Sequence, residues 1–265
     1  MPRRFHHLKG LAIDHPLIVF FGLAYVLAWG VFLPMIFFHR PPEFIIIATF
    51  APTVAALVAH RLASGNYRAV RIRSTWPRTL SAGAIGIGLI VVAYVILPAL
   101  TTASPGMLHW GVLTSVSVYH YSMLLGGPLG EEPGWRGYAL PRLEVRFGPA
   151  RASLLLALLW TGWHIPLYFY PGWTSVPVWV YLLILMGTSF ILTYSANLSR
   201  FGVVAPIATH TAFNAVPSLL NRLLADSPPR VGIPFELVLA LSGLAVASIL
   251  IVVTRGRLAY HAMET

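Results

Sequence analysis

The sequence predicts an all-α membrane bundle, and three observations predict it. Of its 265 residues, 57% are hydrophobic and only 10% are charged, against about 25% charged in ordinary soluble domains. Mean hydropathy is +0.74. The apolar residues fall in runs of about 20, the helix length that crosses a hydrocarbon core, and the 18 Lys and Arg gather between those runs. A formal charge of +10 and a pI near 10.4 would suggest nucleic acid in a soluble chain. Here the cations lie between the apolar runs, which points to the lipid bilayer and to membrane orientation, and away from nucleic acid. There is no cysteine, so disulfide and thiolate chemistry are excluded.

Eight runs read as spans: 16–38, 43–63, 80–100, 112–131, 152–171, 177–198, 203–221 and 234–254. The first, Pro16 to Phe38, follows Arg3, Arg4 and Lys9. It is longer than the roughly 7–15 apolar residues of a signal-peptide core, and no small-x-small cleavage site follows, so it is read as an uncleaved span. The fourth is interrupted by Gly126-Gly127-Pro128 and Pro133-Gly134. Pro128 removes a backbone donor, and Pro133 suits the first turn of a new helix. Breaks at membrane depth persist where they face protein or a wet cavity, so a cavity is expected here. Residues 133–150 carry Trp135, Tyr138, Leu140, Leu143, Val145 and Phe147 among three arginines, with Arg151 next. They are expected as a short helix lying in the cytoplasmic interface. With the N-terminus in the cytoplasm and each run crossing once, 15 of the 18 Lys and Arg fall inside. Only Arg40, Arg222 and Arg230 fall outside, which predicts cytoplasmic N- and C-termini. Residues 1–265 form one integral-membrane domain, with no soluble domain and no obvious repeat of the kind that builds many transporter folds.

Three polar sets stand inside these apolar runs. The first is Gly130-Glu131-Glu132-Pro133-Gly134-Trp135-Arg136-Gly137, the second Trp160 to His164, and the third His210 to Asn214. Hydrocarbon tolerates such groups poorly, so each needs a partner or a role. Glu132 and Arg136 are four apart, within ion-pair reach on a helix, and form the expected structural pair. Glu131 is then the carboxylate left to accept a proton, since two adjacent buried carboxylates do not both ionise without a cation. Trp160 lies four residues before His164, and His210 four before Asn214, so each pair shares a helix face.

Taken singly, each set has an ordinary structural reading. The glutamates can be interfacial, His164 can bond a backbone carbonyl beside Pro166, and His210 with Asn214 can bridge helices. Counted along their helices, all three sets reach the cytoplasmic half of the bundle, where a joint site is expected. His6, His7, His15, His39, His60 and His261 belong to the basic tail or to span ends, and His109 to an outer loop. His120, three turns before Glu131, is read as structural.

Together, Glu131-Glu132-Pro133-Gly134-Trp135-Arg136, then Trp160-Thr161-Gly162-Trp163-His164, then His210-Thr211-Ala212-Phe213-Asn214 resemble the CPBP (Abi) family of intramembrane endopeptidases. That family is related to the type II CAAX prenyl endopeptidases. The resemblance covers about residues 105–222, a CPBP-like catalytic core. One departure is Trp160, where the family often has Phe; this implies a changed pocket shape. The resemblance implies a multi-pass protease of the cell membrane, that of a bacterial plasma membrane. Its substrate would be a membrane-associated or lipidated protein or peptide, cleaved near the cytoplasmic face.

By the same resemblance, Glu131 and His164 would activate water, while His210 and Asn214 would hold the oxyanion, with Glu132, Arg136 and Trp160 in support. The family has often been labelled metalloprotease, and Glu131, His164 and His210 would be the zinc shell. No H-E-x-x-H is present and the three residues come from three helices, so a metal-free glutamate mechanism without cofactor is favoured. The alternatives are a non-catalytic membrane scaffold or immunity protein, and a proton-coupled transporter with Glu131 and His164 as relay.

Overall fold

The computed structural model describes residues 3–70, 72, 74–102, 126–223 and 233–261. Its architecture is all-helical. In chain order the α-helices are α1 (Arg3–Asp14), α2 (Pro16–Phe37), α3 (Phe44–Thr49), α4 (Ala51–Ser64), α5 (Trp76–Val91) and α6 (Leu97–Thr102). They continue with α7 (Pro128–Gly134), α8 (Leu140–Phe147), α9 (Pro149–His164), α10 (Val178–Leu198), α11 (Val204–Leu223) and α12 (Phe235–Val253). Proline sits in the first turn of α2, α4, α5, α7, α8 and α9, where its missing N–H would have had no helical partner. Among the described residues six stretches are long and apolar enough to cross a membrane: Pro16–Phe37, Phe44–Ser64, Trp76–Thr101, Pro149–Phe169, Val178–Leu198 and Phe235–Val253. The chain is a multi-pass membrane protein. Most of the expected fourth run, 112–131, lies outside the described residues, as do His109 and His120.

The described part of that region departs from expectation. Helix α7 begins at Pro128 and does not end there. It runs through Pro133 into a π-helical turn, Trp135–Ala139, and on into α8. Pro133 therefore sits inside a helix instead of starting one. Its missing N–H removes one bond, to the Leu129 carbonyl, and the wider π turn follows at once. Nor does this segment lie on the surface. Trp135, Arg136, Tyr138, Ala139 and Leu140 are all buried, and only Val145, Arg146 and Phe147 at its end are exposed. Glycines explain the difference. A Cβ at Gly130 would lie 2.6 Å from the Thr49 carbonyl oxygen, and one at Gly137 would lie 2.8 Å from Val70 Cγ1 and Val203 Cγ1. Small residues let helix backbones meet closely in membranes, so this helix enters the bundle core.

The two ends of the bundle are identified by contacts between loops. At one end, Asn197 Nδ2 donates to Glu144 Oε1 (2.7 Å) and to the Leu258 carbonyl (3.0 Å). The Val204 N–H there donates to the Ile72 carbonyl (3.3 Å). This end gathers the segments rich in arginine. At the other end, the Tyr170 hydroxyl donates to the Arg40 carbonyl (3.2 Å). The main core packs Phe20 and Phe32 of α2 against Trp135 and Trp163. A second core joins α5, α10 and α12 around Tyr94 and Ile191.

Candidate active site

Glu131 occupies the first turn of α7 and is 3% exposed. Its Oε2 accepts the Trp160 indole N–H at 2.6 Å and, more weakly, that of Trp135 at 3.4 Å. Trp135 is one helical turn after Glu131, so the carboxylate is capped from its own helix and from α9. Glu132 has no exposure and turns the other way. Its Oε1 accepts Arg136 Nη1 at 2.9 Å and His210 Nδ1 at 2.8 Å. Arg136 is equally buried, with its guanidinium carbon 4.6 Å from the Trp160 ring centroid. The pair thus has the four-residue geometry its spacing suggests, and it also holds a histidine that sequence spacing does not reveal.

The ring nitrogens of the two histidines can be assigned from their partners. His164 Nδ1 lies 2.8 Å from the Trp160 carbonyl, which only accepts, so Nδ1 carries the hydrogen. The neutral ring then has its lone pair on Nε2. His210 Nδ1 is engaged by Glu132, which leaves Nε2 as its second nitrogen. Aromatic rings enclose His164: Trp163 at 4.7 Å, Tyr181 at 5.5 Å and Trp173 stacked at 6.0 Å between centroids.

Gly127 marks the point on which the site converges. A Cβ built there would lie 3.2 Å from Glu131 Oε1, 3.3 Å from Asn214 Nδ2 and 3.9 Å from His210 Cε1. The absent side chain lets these three groups approach the Gly127 backbone closely. Glu131, Trp160, His164, His210 and Asn214 line one cavity of about 160 Å³, together with Trp173, Tyr181 and Phe213. A water's share of liquid volume is about 30 Å³, so the cavity has room for several.

The cavity lies between the middle of the bundle and the end that carries Tyr170 and Trp173. Its lining includes Thr49 near the start of the second span and Tyr181 near the start of α10. This is the half remote from the arginine-rich loops, whereas the sequence reading expects a site in the half nearest them. The reason is the helix register: Glu131 stands at the first turn of Pro128–Gly134 and not at the last turn of a preceding span.

The three residues of the alternative zinc shell, Glu131, His164 and His210, all line this cavity, while among the described residues no three His, Cys, Asp or Glu are gathered as a metal-holding group. The indole N–H groups engage Glu131 Oε2 and leave Oε1 toward Gly127. Several site features escaped the sequence reading. The Glu132–His210 pair joins residues 78 apart and has no local signal. Trp135 stands four residues from Glu131, so its spacing was visible, while Gly127 reads in sequence only as a helix breaker.

Residues 113–216, which contain all three motifs, match the family model described as type II CAAX prenyl endopeptidase Rce1-like. A curated relative, CAAX prenyl protease 2 of Methanococcus maripaludis, is 29% identical over 106 residues. That alignment covers 37% of this chain and 39% of the relative, so it spans about two fifths of the relative's length.

Proposed function

We propose that this chain, through its Rce1-like segment 113–216, is a membrane-embedded CAAX-type endopeptidase. It hydrolyses a peptide bond of a membrane-associated or lipidated protein or peptide. The observation that carries the reading is the convergence beside Gly127 of a carboxylate oxygen, an amide nitrogen and an imidazole edge, from three residues that line one cavity with His164.

In this reading Glu131 Oε1 takes a proton from water as the water oxygen attacks the scissile carbonyl carbon. His164, with its lone pair on Nε2, orients the same water. Asn214 Nδ2 donates to the oxygen that becomes negative, as does His210 Nε2 when it carries a proton. Glu132 fixes the His210 ring through Nδ1, a positioning role added to its pairing with Arg136. Collapse of the tetrahedral intermediate breaks the C–N bond, and the proton held by Glu131 passes to the leaving amine. The reaction is read as metal-free, with Glu131 Oε1, the oxygen the indole donors leave unengaged, as the base. The apolar and aromatic walls, Trp173 and Tyr181 among them, suit an apolar segment next to the cleaved bond. The protein acts in the cell membrane. The face that the site opens to is the one carrying Trp173.

The test uses purified protein in detergent with a quenched peptide library that includes prenylated members. Wild type should cleave, Glu131→Gln should lose roughly 10²–10⁴-fold in rate, and thorough chelation should leave the rate unchanged. Full activity in Glu131→Gln would overturn the mechanism. Activity lost on chelation and restored by zinc would overturn the metal-free reading. A wild type that cleaves no member would favour a non-catalytic scaffold.

A further inference from the structure

A second and larger cavity lies at the opposite end of the bundle from the catalytic site. Its volume is about 630 Å³, within the range of roughly 300–1,000 Å³ typical of small-molecule sites. One wall is the junction of α1 and α2, and the other is the exposed end of α8. Both walls carry apolar and charged groups. Leu17, Ile18 and Val145 offer apolar surface, and Ile18 and Val145 are 65% and 73% exposed. Arg142 and Arg146, one turn apart on α8, offer cationic heads beside them. Asp14 and His15 complete the polar rim, so its formal balance is two cations against one anion with His15 neutral.

Position settles what chemistry suits this cleft. Pro16 begins the first membrane span, so the cavity stands where hydrocarbon gives way to headgroups. Arg142 is already organised: its Nη1 donates to the Tyr138 carbonyl at 2.8 Å, and its guanidinium carbon lies 3.7 Å from the Tyr138 ring centroid. Burial lowers its pKa while Tyr138 raises it; the guanidinium nonetheless stays charged at neutral pH, as arginine does in proteins. Arg146 is exposed and makes no ion pair among the described residues. Two guanidinium groups over an apolar cleft match a phosphate over acyl chains.

We propose that this cleft is a binding site for one anionic phospholipid, with its phosphate held by Arg142 and Arg146 and its upper acyl chains against Leu17, Ile18 and Val145. The site is separate from the catalytic cavity and does not depend on the reading of that cavity. Each arginine near an anionic headgroup strengthens binding about fivefold, the equivalent of roughly 1 kcal/mol.

The experiment measures thermal unfolding of the full chain in a neutral detergent. It titrates phosphatidylglycerol, phosphatidylcholine of the same acyl chains, or inorganic phosphate. Phosphatidylglycerol should raise the midpoint and saturate, with phosphatidylcholine markedly weaker and inorganic phosphate without effect. Arg146→Gln should weaken the phosphatidylglycerol affinity about fivefold. Arg142→Gln/Arg146→Gln should abolish the preference between the two lipids. Because Arg142 also braces Tyr138, the single Arg146→Gln variant keeps the test valid if the double variant folds poorly. Equal shifts with the two lipids would overturn the proposal. So would an unchanged preference in Arg146→Gln, or a full shift produced by inorganic phosphate alone.

Discussion

Among the described residues Glu132 is the one carboxylate that touches Arg136, so Glu132→Gln removes its counter-ion, and the structure sets the size of the effect. Both side chains have no solvent exposure, so water cannot replace the lost partner. Arg136 Nε and Nη2 have no hydrogen-bond acceptor among the described residues, so no second anion takes over. Breaking such a buried pair costs about 3–5 kcal/mol. The Trp160 ring beside the guanidinium is present in wild type and variant alike, so it does not offset that loss. For a chain of this length each kcal/mol moves the unfolding midpoint by about 2–4 °C, so Glu132→Gln should lower Tm by roughly 6–20 °C. Replacing Arg136 by Met as well should recover most of the loss, because no buried charge is then left alone. Turnover should stay low in the double variant, since His210 Nδ1 still lacks its carboxylate. The assay is tryptophan-fluorescence melting in detergent beside peptide turnover for wild type, both singles and the double. A Glu132→Gln midpoint within about 2 °C of wild type would refute the energetic argument. Wild-type turnover in the double variant would refute the positioning role of Glu132.

Three further outcomes are expected. Gly127→Ala places a Cβ against Glu131 and Asn214, so turnover should drop roughly 10–100-fold; an active, stable Ala variant would show that the reaction lies elsewhere. Burial pushes the Glu144 carboxyl up to about 8, against the opposing hydrogen bond from Asn197; the folded state therefore holds a proton that the unfolded chain releases, and stability should fall as pH rises from about 4.5 to 8. Glu144→Gln should flatten that slope in melts at stepped pH, and an unchanged slope would assign the dependence to other groups. Single cysteines introduced at Val70 and Thr174, in a chain that has no cysteine, should be labelled from opposite sides of intact cells, with Val70 inside; labelling of both from one side would refute the two-ended arrangement.

The sequence shows the membrane class and most of the spans, because apolar runs and arginine positions are local facts about the chain. The four-residue spacings were equally legible: Glu132 to Arg136 forms a 2.9 Å bond, and Trp160 and His164 line the same cavity. The register around residue 128 was not. Pro128 and Pro133 can each start or interrupt a helix, and only the fit of Gly130 against Thr49 and Gly137 against Val70 decides that the helix passes through Pro133. That one ambiguity also misplaced the depth of the site. The link from Glu132 to His210, and the enclosure of His164 by Trp173 and Tyr181, depend on packing between distant segments. No periodicity in the chain encodes them.

The two indole groups on Glu131 have a stereochemical consequence. With Oε2 engaged by Trp160 and Trp135, a single oxygen, Oε1, is turned toward Gly127 and Asn214. In the proposed mechanism, a base with one available oxygen, set against an oxyanion donor in a fixed place, delivers water to only one of the two faces of a planar carbonyl. The site is thereby handed. A peptide of mirror-image residues, or one bound with its chain direction reversed, would present the wrong face however well its side chains fitted the aromatic walls.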